Sequence, residues 1–250
     1  MLEAKALTET TRSPSGPMSV VQSDRSVLAD LDLFADCSTV QLASIEQACR
    51  YRRFSAQEQI IDKDSHSADV YFIVRGRARV VSYSVSGREI TFADLVEGDY
   101  FGELSAIDGQ PRSAGVMAVE DSLVLALPRR VFLATLAEFP QAALKVMRRL
   151  ARIVRSGDER IMDLSTLAAN NRVQAELLRQ ARGHSTIRDA AVIEPIPVHS
   201  DIASRVSTTR ETVARVLNDL ARKGIIERTR TALVIRNVPM LQEMVEEVRG

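Results

Sequence analysis

Two short stretches of the chain carry side chains whose types and spacing could do chemistry. The first is Phe101-Gly102-Glu103-Leu104-Ser105-Ala106-Ile107-Asp108-Gly109-Gln110-Pro111-Arg112-Ser113-Ala114. A glycine precedes a short helical turn, and an Arg-Ser pair follows a Gly-Gln-Pro break. A helix start offers free backbone N–H groups to an anion, and a planar guanidinium can grip two phosphate oxygens. Glu103, an acceptor when ionised, suits a ribose hydroxyl.

The second stretch runs from Ser200 to Leu217. Ile202, Ala203 and Val206 form one apolar face; Val213, Val216, Leu217 and Leu220 form the next. Only a few Ser and Thr residues separate them, which predicts a helix-turn-helix. Arg210, Glu211 and Arg215 share one face of the second helix. Arginine pairs bidentately with guanine O6 and N7, and glutamate accepts from cytosine N4. Thr208-x-x-Glu211 also reads as a capping box, a competing use of the same carboxylate. Residues 205–230 hold seven basic and three acidic side chains, net +4, as a phosphate-facing surface requires.

Around these stretches the pattern of apolar residues predicts the elements that position them. Leu28, Leu31, Phe34, Leu42 and Ile45 recur at helical spacing and predict one or two short helices between Val27 and Ala48. From Phe54 to Leu127, short apolar runs punctuated by Gly76, Gly98 and Pro128 predict an antiparallel sandwich or roll. After Pro140 the pattern is helical for about thirty residues. Leu150, Val154, Gly157, Ile161, Leu164, Ala168 and Asn171 are spaced four, three, four, three, four, three, a seam that calls for a partner helix. Packing on the chain's own β-domain is the alternative. Asn170-Asn171 is expected to cap a new helix from Arg172 to Ala181. Gly183 to Pro197 reads as a loop with a short extended piece bounded by Pro195 and Pro197. Helices over His199–Val206 and Thr209–Lys223, a hairpin over Ile225–Ile235 with Arg228–Thr231 at its tip, and a polar C-terminal helix complete the chain. The expected domains are a flexible extension (1–24), a β-roll with flanking helices (25–139), a long helix (140–169) and a DNA-binding module (170–250).

Composition narrows the class. Thirty-three basic residues balance thirty-three acidic ones, and 45% of the chain is hydrophobic, ordinary for a globular protein. Cys37 and Cys49, both in apolar helix-like stretches, read as packing rather than a disulfide. The absence of a long apolar run or a signal peptide points to the cytoplasm, with no membrane association. No nucleophile–base pair, metal cluster or nucleotide-triphosphate loop is visible, so neither an enzyme nor a metal site is expected.

On the two motifs together, from about residue 27 onward, the chain resembles the cyclic AMP receptor protein/fumarate-nitrate regulator (CRP/FNR) superfamily of bacterial transcription regulators. That resemblance implies an α+β fold: an antiparallel β-roll (jelly roll) binding a cyclic nucleotide, a long dimerisation helix and a C-terminal winged helix-turn-helix. It places the cyclic phosphate on Arg112 and the 2′-hydroxyl on Glu103, with Gly102, Leu104, Ser113 and Ala114 lining the pocket. Counting back from Arg172 puts Gly157-Asp158 where cyclic AMP receptor proteins carry a Thr-Ser pair against adenine. This departure matters, because a carboxylate can accept from guanine N1–H and N2–H₂ whereas adenine offers only its exocyclic amine. Ser113 could add a contact to a guanine amino group. Cyclic GMP is therefore expected to bind as well as, or better than, cyclic AMP. The same resemblance assigns Arg210, Glu211 and Arg215 to a TGTGA-like half-site and Ser200, Thr208 and Thr209 to phosphates. It implies a homodimer on double-stranded DNA, RNA polymerase as a partner, and a hinge near Leu167 to Asn170. Within this fold the effector could instead be haem or cyclic di-GMP, although His66, His184 and His199 are the only histidines. A cyclic-nucleotide-controlled regulatory subunit is the alternative from another class.

Overall fold

The computed structural model describes residues 26–182, 186–187 and 189–249. The extension expected over 1–24 and His184 lie outside them. Eight strands form the first unit: β1 (Arg50–Phe54), β2 (Gln59–Ile61), β3 (Val70–Arg75), β4 (Ala78–Tyr83), β5 (Glu89–Leu95), β6 (Tyr100–Phe101), β7 (Gly115–Ala118) and β8 (Ser122–Leu127). They make two antiparallel sheets, ordered β1-β8-β3-β6 and β2-β7-β4-β5. Ile61, Tyr71, Ile73, Phe101 and Val124 fill the space between the sheets. Phe72, Tyr100, Leu125 and Leu127 leave the opposite face of the first sheet and meet Leu28, Phe34, Leu42 and Phe132. This two-sided burial explains why Val70 to Ile73 is continuously apolar instead of alternating.

The covering layer consists of 3₁₀ turns at 27–34, α1 (Thr39–Ala48), α3 (Arg129–Glu138) and the start of α4 (Pro140–Thr166); α2 (Glu103–Asp108) lies between β6 and β7. Ser38 and Gln41 close a capping box on α1. Cys37 and Cys49 pack at the edge of this layer as free thiols. Burial pushes the Cys49 thiol up to about 12.

Pro140 opens α4 at its first position, where its missing N–H costs nothing. Ala142 and Val146 anchor the helix on the roll. Beyond them, Val154, Ile161 and Leu164 of the predicted seam are exposed, as are Met147, Ile153 and Met162. Leu150 is shared with the roll, since it also packs against that core. The seam is shorter than its heptad spacing predicts. Leu167 turns extended (φ −97°, ψ 138°) because its side chain is drawn into the C-terminal core, which places Ala168 and Asn171 off the long helix. The next helix, α5 (Ala169–Arg182), starts before Asn170, so Asn170-Asn171 sits in its first turn rather than capping a helix at Arg172.

The second unit adds β9 (Thr186–Ile187), β10 (Ala190–Ile193), α6 (His199–Arg205), α7 (Arg210–Arg222), β11 (Ile226–Arg228), β12 (Leu233–Ile235) and α8 (Val238–Arg249). The stretch read as a loop from Gly183 supplies β9 and β10, and its sheet runs β11-β12-β10-β9. Four residues are too few for the alternation of β10 to stand out in the sequence, yet Ala191 and Ile193 are buried in the core that also takes in α5, α6 and α7.

Candidate ligand pocket and nucleic-acid interface

The Phe101–Ala114 cassette is built around one inaccessible arginine. Arg112 is 2% exposed. Its Nε donates to Ser67 Oγ (3.0 Å), Nη1 to the Gly102 carbonyl (2.8 Å) and Nη2 to the Asp69 carbonyl (2.7 Å). Those acceptors are all neutral. A guanidinium carries five N–H groups, so one on each terminal nitrogen remains for a further acceptor. Backbone bonds hold the residue in register: Arg112 N donates to Ser65 O, and Asp64 N to Arg112 O, both at 2.9 Å. Burial pushes the guanidinium pKa down, against the raising influence of Tyr71, Asp69 and Glu103.

Gly102 makes this approach possible. It sits at φ +87°, and a Cβ there would lie 2.5 Å from Arg112 Nη1 and 2.9 Å from the Asp69 carbonyl oxygen. Glu103, the first residue of α2, is 5% exposed. Burial raises its pKa, opposed by its own backbone N–H, Arg149 and Arg112. Leu104 and Ser113 are exposed and Ala114 is half-buried. The structure thus brings Gly102, Glu103 and Arg112 together and adds Ser67 and Asp69, which sequence reasoning missed. Carbonyl acceptors leave no side-chain signature, although the hydroxyl run Ser65-His66-Ser67 was visible. Asp158 is exposed, and neither Arg155 nor Arg160 forms an ion pair with it among the described residues. Gly157 is half-buried with open space where a Cβ would project.

In the second unit, Thr209 caps α7, its Oγ1 accepting from Thr212 N at 3.2 Å. This overturns the capping box expected between Thr208 and Glu211. The helix begins one residue later than that box requires, and the Glu211 carboxylate stays exposed and unengaged by it. Arg210 and Arg215 are exposed beside it, while Ser200 and Thr208 are half-buried near the ends of α6 and its turn. Ser207 takes the left-handed conformation (φ +52°) between the two helices. Arg172 ties that turn to the end of the long helix, donating to Val206 O (2.9 Å), Ser207 O (3.2 Å) and Leu167 O (2.9 Å). One guanidinium therefore joins the end of the long helix to the helix-turn-helix.

The comparisons with known proteins follow this division. The family model for cyclic nucleotide-binding domains matches residues 51–139, and that for Crp-like helix-turn-helix domains matches residues 171–244. The chain is 35% identical over 179 residues to a cyclic AMP receptor protein of Thermus thermophilus, covering 70% of this chain and 78% of that one. Among solved structures, a CooA variant from Carboxydothermus hydrogenoformans shares the fold at TM-score 0.73 and 24% identity, over 89% of this chain and 97% of that one. A c-di-GMP-responsive global regulator of Xanthomonas campestris shares it at TM-score 0.64 and 14% identity, over 79% and 99%.

Proposed function

The chain belongs to the CRP/FNR family of DNA-binding transcription regulators, and from that premise we propose that it is a homodimer coupling cyclic-nucleotide binding in the roll to recognition of a TGTGA-like palindrome. One observation carries the ligand reading: a buried arginine whose hydrogen bonds among the described residues go only to neutral groups. A buried cation without a hydrogen-bonded counter-charge is costly even with Glu103 and Asp69 nearby, and an anion accepting its two spare N–H groups lowers that cost. The cyclic phosphate fits this role, with Glu103 taking the ribose hydroxyl and Gly102, Leu104, Ser113 and Ala114 forming the walls.

The exposed stripe Val154, Ile161 and Leu164, with Leu150 and Gly157, supports pairing of α4 with a second copy. Ala168 lies beyond the helical part of that interface. Across such a pair, Asp158 of one copy would reach the base held by the other, and its freedom from Arg155 and Arg160 supports a base-reading role. Cyclic GMP is then bound at least as well as cyclic AMP. Arg210, Glu211 and Arg215 would read base edges while Ser200, Thr208 and Thr209 hold phosphates. RNA polymerase completes the proposed assembly.

Parallel calorimetric titration of wild type and Arg112→Lys with cyclic AMP and cyclic GMP tests the ligand. Saturable binding that Arg112→Lys weakens is the expected result. No heat from either nucleotide refutes it, and a response to cyclic di-GMP or a haem absorption band would name the replacement.

A further inference from the structure

The face of α6 opposite its apolar side is polar, and it is docked on the roll. Asp201, Ser204 and Arg205, at helical spacing, meet β5 where Thr91 and Asp94 point outward. Thr91 Oγ1 and Ser204 Oγ lie 2.8 Å apart. The Asp94 carboxylate stands between two arginines, at 2.7 Å from Arg79 Nε on one oxygen and bonded to Arg205 Nη2 on the other. Arg79 Nη2 reaches back to Asp201 Oδ2 at 2.6 Å.

These pairs belong to a longer chain of alternating charge. Arg205 Nη1 lies 3.8 Å from Glu176 Oε1, Glu176 Oε2 is bonded to Arg179 Nη1, and Arg179 Nη2 is 2.6 Å from Asp163 Oδ2. Asp201, Arg79, Asp94, Arg205, Glu176, Arg179 and Asp163 therefore connect α6, the roll, α5 and the long helix without a break. A further bond from Arg160 Nη1 to the Phe92 carbonyl (2.5 Å) fastens α4 to β5. The side chains are largely withdrawn from water: Arg205 is 11% exposed, Asp94 24% and Glu176 1%. Desolvation makes each member dependent on its neighbours, since removing one strands an opposite charge.

Among the described residues, Asp94 is the one carboxylate that the roll contributes to this charge network. With α6 held in this way, the start of α7 faces outward and Arg210, Glu211 and Arg215 are exposed. We propose that Asp94 is a positioning residue: by bridging Arg79 and Arg205 it holds the helix-turn-helix on the roll in the orientation that binds DNA. This inference rests on the DNA reading above and names how the roll controls that site. Asp94 lies outside the residues assigned above to nucleotide and to DNA.

The test uses the full-length protein with Asp94→Asn and Asp94→Glu. Operator affinity is measured with and without cyclic nucleotide, and nucleotide affinity is measured separately by calorimetry. Asp94→Asn should lower operator affinity about tenfold with nucleotide present while nucleotide affinity stays within about twofold, and Asp94→Glu should recover most of the loss. Amide exchange over β5 and α6 should accelerate in Asp94→Asn even without ligand or DNA. Unchanged operator affinity with unchanged exchange overturns the proposal. So does tighter operator binding by Asp94→Asn in the absence of nucleotide, which would make the contact inhibitory. A wild type that ignores both nucleotides refutes the ligand reading alone, because the operator and exchange readings on Asp94 still stand.

Discussion

Arg112 in the roll and Arg205 at the domain junction are both nearly inaccessible, 2% exposed for the first residue and 11% for the side chain of the second. Their surroundings differ in kind. Arg205 is flanked by the carboxylates of Asp94 and Glu176, whereas Arg112 is held by two carbonyls and a hydroxyl. A buried charge hydrogen-bonded to its counter-charge is a joint; one whose hydrogen bonds go only to neutral dipoles keeps donors for an anion that arrives later. Burial alone does not tell the two apart. The identity of the acceptors does.

The most severe break of this contrast is Arg112→Leu. It removes the cation and the bonds it gives to the Gly102 and Asp69 carbonyls, so nucleotide affinity should fall by more than about a hundredfold, with a lower melting temperature. Calorimetry beside a thermal melt reads both; retained affinity would mean that Arg112 is only structural. Next comes Arg210→Ala on the exposed reading helix, a third environment with neither kind of neighbour. Operator binding should weaken by about 1–3 kcal/mol, with specificity relaxed at one base position and the melting temperature unchanged. A uniform loss across all operator sequences would instead assign Arg210 to a phosphate.

Gly102→Ala sharpens the ligand side. The added methyl group collides with Arg112 Nη1 and occupies positive φ, so nucleotide affinity should drop about tenfold while the dimer persists. Wild-type affinity in that variant would show that the cassette backbone yields. The smallest expected effect belongs to Asp158→Ala, which should reduce the preference for cyclic GMP over cyclic AMP by a few-fold and leave Arg112-dependent binding of both. Competition between the two nucleotides for a fluorescent analogue measures that ratio, and an unchanged ratio removes Asp158 from base recognition.

Much of this was readable along the chain. The cassette from Phe101 to Ala114 and the helix-turn-helix from Ser200 to Leu217 are local: the turns, caps and apolar faces that shape them lie within a few residues of the side chains they present. The continuous run Val70 to Ile73 and the regular seam of α4 were legible for the same reason. Reading failed where a distant core overrode local pattern. The long helix stops at Leu167, whose side chain enters the C-terminal core, and this takes Ala168 out of the seam. The box at Thr208 and Glu211 gave way to Thr209, since the turn that enters α7 is held by Arg172 from thirty-odd residues upstream.

By itself, then, the order of residues determined the roll, the long helix, the helix-turn-helix and the candidate residues proposed for phosphate and base, because periodicity, glycine placement and capping act over one or two turns of chain. Tertiary structure decided which charges are compensated. Ser67 and Asp69 come to Arg112 from more than forty positions away, and Asp94 meets Arg205 across 111. Such pairings exist only once packing has excluded water and brought the partners within hydrogen-bond reach, so no local pattern announces them.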